Sequence, residues 1–431
     1  MKDMAADELD YVLKESQTHL DALDLLYATL HWREDGQLET THHPMPLSVM
    51  SAKVSLGAVI RVELPRSGIN FPQIGETIAA ELNVLIKACA QAGVSLSLIT
   101  IDADPPTRLL SDYIEALRAP RVAAGEVPFT VTALLDHTRS PALKRFAEAA
   151  GHLTLQLHSL EIRARQLAPL VDRDRVGVAL KRMSALGRPY SVSLPTYGYL
   201  VRLSRGVIKR VYAERSWPPL SHHDRDMIVS ARPREIAALL SEWRSSPPLG
   251  LDRVHWFRLP LRGDRLNWRW RTFSAVLRGA PLSTELELIC NRSGERVYFA
   301  MRSRGDLAER ASVPLRLTWD GPAPQEIFAE GNYRGSGVPG NMTLTPVQLN
   351  QTKSHLMKRR QWQESRAEVA GSLKPLGSAI ISPEVKEIRL ERAESRGAWV
   401  SAGEACRLSN ALNHRPHTLT PLEVVAPSID H

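Results

Sequence analysis

Residues 97–113 read SLITIDADPPTRLLSDY. The apolar run Leu98–Ile101 ends on two aspartates one residue apart, Asp102 and Asp104. Pro105 and Pro106 then lead into helical spacing that reaches Tyr113. A strand that ends on carboxylates and hands over to a helix is the repeating unit of a parallel α/β sheet, whose chemistry sits at the carboxyl ends of the strands.

The same unit recurs on both sides. Strand-type runs are DYVLKE (10–15), LDLLYATLHW (23–32), LGAVIRVEL (56–64), VSLSLITID (94–102), PFTVTALL (128–135), LTLQLH (153–158), YSVSLPT (190–196) and VHWFRLP (254–260). Helix-type patterns lie between the later ones, and IGETIAAELNVLIKACAQAG (74–93) ends on Gly93, a natural helix stop. Eight strands interleaved with helices predict a (β/α)8 TIM-type barrel over 10–275. The first unit is the weak one, because residues 16–22 leave almost no room for a helix. Beyond it, 284–303 and 313–322 read as alternating strands, so a small antiparallel β unit is expected over 280–325. From 335 to 431 periodicity fades, and an irregular tail with one helix near 352–371 is expected.

Composition frames the function. The chain has 431 residues, 43% hydrophobic and 24% charged, as a soluble globular protein would. Its net charge of +8 comes from scattered arginines rather than a dense basic block, which speaks against a nucleic-acid partner. Cys89, Cys290 and Cys406 match no zinc spacing, and the histidine pairs at 42–43 and 222–223 have no companion ligands. Neither a metal nor a cofactor is expected. No apolar run is long enough to span a membrane. The acidic start, MKDMAADELD, has no apolar signal core, so the expectation is cytoplasmic, or exported if the start has been processed or misplaced.

Strand parity selects the candidate site. Thr100, Asp102 and Asp104 share one face of their strand, and the same logic pairs Arg61 with Glu63. Thr132 with Asp136, Gln156 with His158, Thr196 beside Tyr197, and Arg258 end other strands, and Glu161 lies just past one of them. Bland roles compete with each. Arginine–carboxylate pairs often merely neutralise each other. Asp104, held extended by Pro105, suits the N-cap of the following helix. Asp102 has no such local partner and is expected to face the mouth, within reach of Arg61, Gln156, His158 or Arg258.

The succession DADPPTRLLSDY, VPFTVTALLDHTRSPALKRFAEAAG, LTLQLHSLE, RPYSVSLPTYG and VHWFRLPLRGDRLNW is similar to a bacterial family catalogued as domain of unknown function 3142. The matching positions are Asp102, Asp104, Tyr113, Thr132, Gln156, His158, Thr196, Tyr197, Gly198, Phe257, Arg258 and Pro260, spread over roughly 10–335. The resemblance implies a glycoside-hydrolase-like TIM barrel with a small β domain. The chain departs from the pattern at YVLKES in the first strand, at Leu135-Asp136-His137 and at Ala103, where the family tends to carry aromatics.

Glycoside hydrolysis uses two carboxyl groups. On that reading Asp102 is the nucleophile or base and Glu63 or Asp136 the acid, with Glu161 behind them. Arg61 and Arg258 hold carboxylates ionised or grip an anionic sugar, and Asp104, Gln156, His158 and Tyr197 bind substrate. The rival is a non-catalytic barrel that binds a glycan, another small polar ligand or a partner. Carboxyls locked in arginine pairs would mark that alternative.

Overall fold

The computed structural model describes residues 11–15, 20–33, 36–43, 55–65, 67–163, 166–213, 225–261, 264, 266–283 and 305–307, and the backbone of ten strands between 286 and 407. The chain divides into two units, one of Met1–Ser283 with Gly305–Ala308, the other of Thr284–Arg304 with Glu309–His431.

The first unit is built on one sheet. Its parallel strands are β1 (Ala22–Trp32), β3 (Ser55–Val62), β4 (Leu96–Asp102), β5 (Phe129–Leu134), β6 (Leu153–Gln156), β9 (Tyr190–Pro195) and β13 (Leu251–Phe257), in the spatial order of the chain. The strand β2 (Leu38–His42) returns antiparallel beside β1. Two short strands, β7 (Ile162–Arg163) and β8 (Gln166–Leu167), pair on their own. The helices are α1 (Phe71–Gln91), α2 (Leu110–Ala116), α3 (Arg118–Ala124), α4 (Leu143–Ala150), α5 (Arg173–Ser184), α6 (Pro233–Ser245) and α7 (Trp270–Arg278). Strand and helix alternate as in a TIM-type α/β barrel.

One expectation needs correction here. DYVLKE is not the first strand: residues 11–15 are helical, and Val12 and Leu13 bury against the core. Six residues are too few to separate a period of 2 from one of 3.6. The sheet therefore holds seven parallel strands and one antiparallel strand. The sequence also hid a second sheet, β10 (Gly198–Ser204), β11 (Val207–Tyr212) and β12 (Arg225–Ser230), inserted between β9 and α6. Its tight turn is Arg205-Gly206, with φ of 51° and 82°. Two positive φ values suit a hairpin turn, but arginine is not the residue that announces one.

The sheet separates two kinds of residue by parity. Ile99, Ile101, Val131, Ala133, Leu155, Val192 and Leu194 are fully buried within the apolar core. The alternate positions carry Thr100, Thr130, Thr132, Thr154, Ser191 and Ser193, also buried. Branched aliphatics usually fill a TIM barrel's interior; here hydrogen bonds hold Thr130, Thr132, Thr154 and Ser191, while the Thr100 hydroxyl is buried without a partner among the described residues.

The strands at the two ends of the parallel set meet through side chains. Asp24 Oδ2 on β1 lies 3.2 Å from His255 Nδ1 on β13. The carboxylate lies over Gly57 of β3, where an added Cβ would come within 1.9 Å of Asp24 Oδ1. Glycine at 57 is what makes room for this link.

The second unit consists of antiparallel strands. β14 (Leu286–Ser293), β15 (Arg296–Ser303), β20 (Leu373–Ile380) and β17 (Glu326–Ala329) form one sheet in that order. Another holds β18 (Tyr333–Val338), β19 (Asn341–Pro346), β16 (Leu315–Asp320), β21 (Glu387–Ala393) and β22 (Trp399–Ser401), with β23 (Cys406–Arg407) on β21. This corrects the expected division into a 280–325 appendage and a 335–431 tail. Residues 373–380 pair between 296–303 and 326–329, and 387–393 pair with 315–320. Glycine and proline inside LKPLGSAI blur its alternation, so its strand was not visible. The helix expected near 352–371 lies outside the described residues.

Gly57→Ala is expected to push the Asp24 carboxylate off His255 and cost roughly 1–3 kcal/mol, as overpacking does. Urea unfolding measures it. Because both changes act on one link, the loss in a Gly57→Ala, Asp24→Ala double variant should fall short of the sum of the single losses.

Candidate functional site

β4 delivers Asp102 to the carboxyl end of the sheet. Its register partner on β3 is Arg61, and Thr132 on β5 stands on the other side. Thr132 Oγ1 donates to Asp102 Oδ1 at 3.0 Å. Gln156, the last residue of β6, sends one amide nitrogen to both aspartates, 3.2 Å from Asp102 Oδ1 and 2.8 Å from Asp104 Oδ1. One donor thus ties the two carboxyls together.

The pair is electrostatically frustrated. No described cation lies within ion-pair distance of either group. Burial pushes the Asp102 carboxyl up, against the lowering effects of the Arg61 charge and the Thr132 hydrogen bond. Asp104 reaches solvent but is hemmed in by the walls of the mouth. That enclosure and then the Asp102 charge push it up to about 7, with Arg61 and Gln156 pulling the other way. Two close carboxyls in a poorly solvated site cannot both ionise easily.

Asp104 is not a helix cap. Its φ is +46°, left-handed rather than extended, and its carboxylate accepts from Gln156. Pro106 precedes the 3-10 turn Thr107–Leu109 that leads into α2, and no side chain caps that turn. Buried His137 holds the loop instead: its Nε2–H donates to the Pro105 carbonyl at 2.7 Å and its Nδ1 accepts from the Leu134 N–H at 3.1 Å. Both bonds together require the neutral ring, and burial does push its pKa down. A non-glycine residue at positive φ stores strain on the order of 1–3 kcal/mol, a feature common at working sites.

An aromatic floor adjoins the pair. The Tyr199 hydroxyl donates to the Tyr197 hydroxyl at 3.0 Å, and Tyr197 in turn lies 3.2 Å from His158 Nδ1. Burial pushes the His158 ring down to about 4, so it is neutral near pH 7. Phe257 stacks on His158 at 5.9 Å between ring centroids and meets Tyr197 edge-on, yet remains 38% exposed. Burial raises the Tyr197 hydroxyl, with the Tyr199 and Asp104 charges adding to it. Tyr113 on α2 is fully buried between Phe71 and Phe146, and Asp102 and Asp104 both act on its hydroxyl.

The structure therefore gathers Asp102, Asp104, Gln156 and Arg61, with His158 and Tyr197 alongside. It sets the other candidates apart. Arg175 binds Asp136 at 2.7 Å and also Glu161, which Arg163 grips as well. Burial alone would raise Glu161, but hydrogen bonds from Arg175, Ser159 and Arg163 drive it down to about 2. A carboxylate held that low is a poor acid. Arg258 turns to Asp264 at 2.9 Å. Glu63 is exposed and pairs at 3.8 Å with Arg61. Sequence reasoning placed Thr132 at a strand end without giving it a role, named Phe257 only through the family resemblance, and missed Tyr199 and His137. Nothing local marks His137, whose partner lies 32 residues away. Among the described residues no cluster of His, Cys, Asp and Glu could hold a metal ion, and no helix is long and apolar enough to cross a membrane.

The model of a family described as a domain of unknown function (DUF3142) matches residues 56–262, from β3 through β13. No curated protein matches the chain in sequence. Among solved structures, a chitinase from Chromobacterium violaceum aligns at 13% identity with a TM-score of 0.46, over 64% of this chain and 96% of that one. The Bacillus cereus spore cortex-lytic enzyme SleL aligns at 10% identity and a TM-score of 0.42, over 65% and 72%. A class V chitinase from Nicotiana tobaccum gives 14% and 0.35, over 64% and 94%.

Asp104 makes two checkable demands. Alanine there, denied the left-handed tolerance of Asp and Asn, should be less stable than Asp104→Asn by about 1 kcal/mol. The second concerns pH. A carboxyl whose folded pKa, about 7, exceeds its ordinary 3.8 adds stability that is complete below pH 4 and is lost as pH rises through 7. Unfolding measured from pH 4 to 8 should therefore show Asp104→Asn gaining on the wild type as pH rises, then levelling off.

Proposed function

We propose that the mouth binds a glycan and acts on its glycosidic bond, with Asp104 as proton donor and Asp102 as the charge beside it. The observation that carries the reading is the closeness of Asp102 and Asp104, both within reach of the Gln156 amide; enclosure and the Asp102 charge, outweighing the lowering by Arg61 and Gln156, leave Asp104 able to hold a proton near neutral pH. An acid with a pKa near the working pH is the form general acid catalysis asks for. Asp102, held by Thr132 and facing Arg61, keeps negative charge where an oxocarbenium-like transition state would develop positive charge.

This assignment moves the acid from Glu63 and Asp136 to Asp104. It also limits what the pair can do. Two oxygens within reach of one nitrogen fall short of the roughly 6.5–9.5 Å between an inverting pair's carboxyls. Asp102 ends β4 and Asp104 stands in the loop just after it, so both approach a sugar from one side. The group attacking the opposite face is then water or the substrate itself. The exposed face of Phe257, backed by His158 and meeting Tyr197 edge-on, offers an apolar ring on which the C–H face of a pyranose can stack.

One observation favours the binding-only alternative: Asp136 and Glu161 are both locked by Arg175. A screen of aryl glycosides and polysaccharides separates the two readings. Turnover is expected in the wild type, falling as pH rises past 7, with losses of 100-fold or more in Asp104→Asn, the scale of general acid catalysis. Phe257→Ala should weaken binding in either case. A glycan bound equally well by Asp104→Asn and the wild type, with no turnover by either, would leave the barrel as a binding protein.

A further inference from the structure

The polar face of the sheet continues downward from Asp102 to the opposite end of the barrel. Thr132, which donates to Asp102, is the register partner of Thr154 on β6. The Thr154 hydroxyl lies 2.9 Å from that of Thr130, and the Thr130 hydroxyl lies 3.1 Å from His152 Nδ1. His152 Nε2 meets Asp252 Oδ2 at 3.1 Å, and Ser191 donates to the other oxygen of Asp252 at 3.1 Å. His152 precedes β6 and Asp252 is the second residue of β13, so both stand at the amino ends of the strands. A quarter of the His152 side chain and almost half of Asp252's are exposed. A cavity lined by Gly151, His152, Arg188 and Tyr190 opens beside them. Side chains thus run from a solvent-facing His–Asp pair to the mouth carboxylate, with one unbonded step between Thr154 and Thr132.

We propose that His152, Thr130 and Thr154 are positioning residues for Asp102, setting through Thr132 the direction in which hydroxyl protons point at its carboxylate. The inference rests on reading Asp102 and Asp104 as the working pair. Its logic is the donor inventory of each group. Asp252 takes the Nε2–H of His152 in either protonation state. A neutral His152 then has a bare Nδ1, which accepts from Thr130, and the hydroxyls below Thr132 point away from the mouth. An imidazolium donates from Nδ1, so the Thr130 proton is left with two acceptors, the Thr154 hydroxyl at 2.9 Å and the more distant His152 carbonyl at 3.4 Å; given to Thr154, it lets Thr154 rotate to donate to Thr132. The chain then points at Asp102, and aligned hydrogen bonds strengthen one another. No proton leaves the column; each hydroxyl keeps one and changes its acceptor.

The groups around each end are few. Asp252 favours the imidazolium, while burial, His255 and Arg253 oppose it, and His152 lies below its ordinary value. Asp102 faces Arg61, Asp104, Gln156 and Thr132, with Tyr113 behind. Protonation of His152 would therefore hold Asp102 ionised as pH falls and leave the shared proton to Asp104.

The test uses the full chain with 13Cγ-labelled aspartate, the Asp102 signal being identified by its loss in Asp102→Asn. In the wild type the Asp102 resonance should inflect at the midpoint of His152, read from the imidazole nitrogens. Thr154→Val, Thr130→Val and His152→Gln should each remove that inflection and move the Asp102 titration to higher pH, and Thr154→Ser should restore it. If the folded variants titrate at Asp102 as the wild type does, the threonines are structural and the proposal fails. Should the valine variants not fold, the wild-type inflection and His152→Gln decide alone. The measurement needs no substrate, so it can fail while the mouth still cleaves a glycan, and succeed while it does not.

Discussion

Two carboxyl groups two residues apart on one inward face cannot both give up their protons cheaply. Much of the mouth is arranged around that repulsion. Gln156 reaches both oxygens from one nitrogen, which keeps the groups close instead of letting them part. His137 pins the Pro105 carbonyl and holds Asp104 at a φ that its own backbone disfavours. Arg61 contributes charge from the neighbouring strand but is turned partly to Glu63. The outcome is an asymmetry between two chemically identical side chains, with Asp102 deeper and Asp104 nearer solvent.

Elsewhere in the barrel unit, described acids near the sheet have basic partners of their own. Asp24 lies against His255 and Asp252 against His152, and Asp136 and Glu161 share Arg175. Arginine is abundant in this chain, so leaving Asp102 and Asp104 without one is a specific departure. An arginine seated on Asp104 would lower its pKa, as Arg175 and Arg163 do for Glu161, and an acid that is ionised at neutral pH has no proton to donate. On the function proposed above, what separates the working carboxyls from the structural ones is the absence of an ion pair, not the type of residue.

That distinction is only half legible in the sequence. Parity brought Asp102, Asp104, Gln156 and Arg61 to one end of the sheet, because a period of two is a local property. Which carboxyls an arginine would claim is a long-range matter: Arg175 is 39 residues from Asp136 in the chain. The rule that a residue before proline is extended failed at Asp104, because His137 and Gln156 override the local preference. The strand read into DYVLKE failed for the opposite reason, too little sequence to show a period. In the second unit, residues 373–380 pair with 296–303 across more than 70 positions of chain, a contact that no local pattern announces.

The inner face of β5 and β6 raises a last question of residue choice. Thr130, Thr132 and Thr154 occupy sites where a TIM barrel usually carries valine or isoleucine. Valine has nearly the same volume and would add apolar contact without a hydroxyl to satisfy. Burying a hydroxyl costs free energy unless it finds a partner, and a buried neutral hydrogen bond contributes only about 1 kcal/mol in return. For filling the barrel, threonine is thus no better than valine. What distinguishes it is a rotatable proton that can be donated in either of two directions. Asp102 needs a donor on that side, and only Thr132 among these residues supplies it directly. Thr130 and Thr154 have no carboxylate to serve, so their hydroxyls make sense as links between His152 below and Thr132 above.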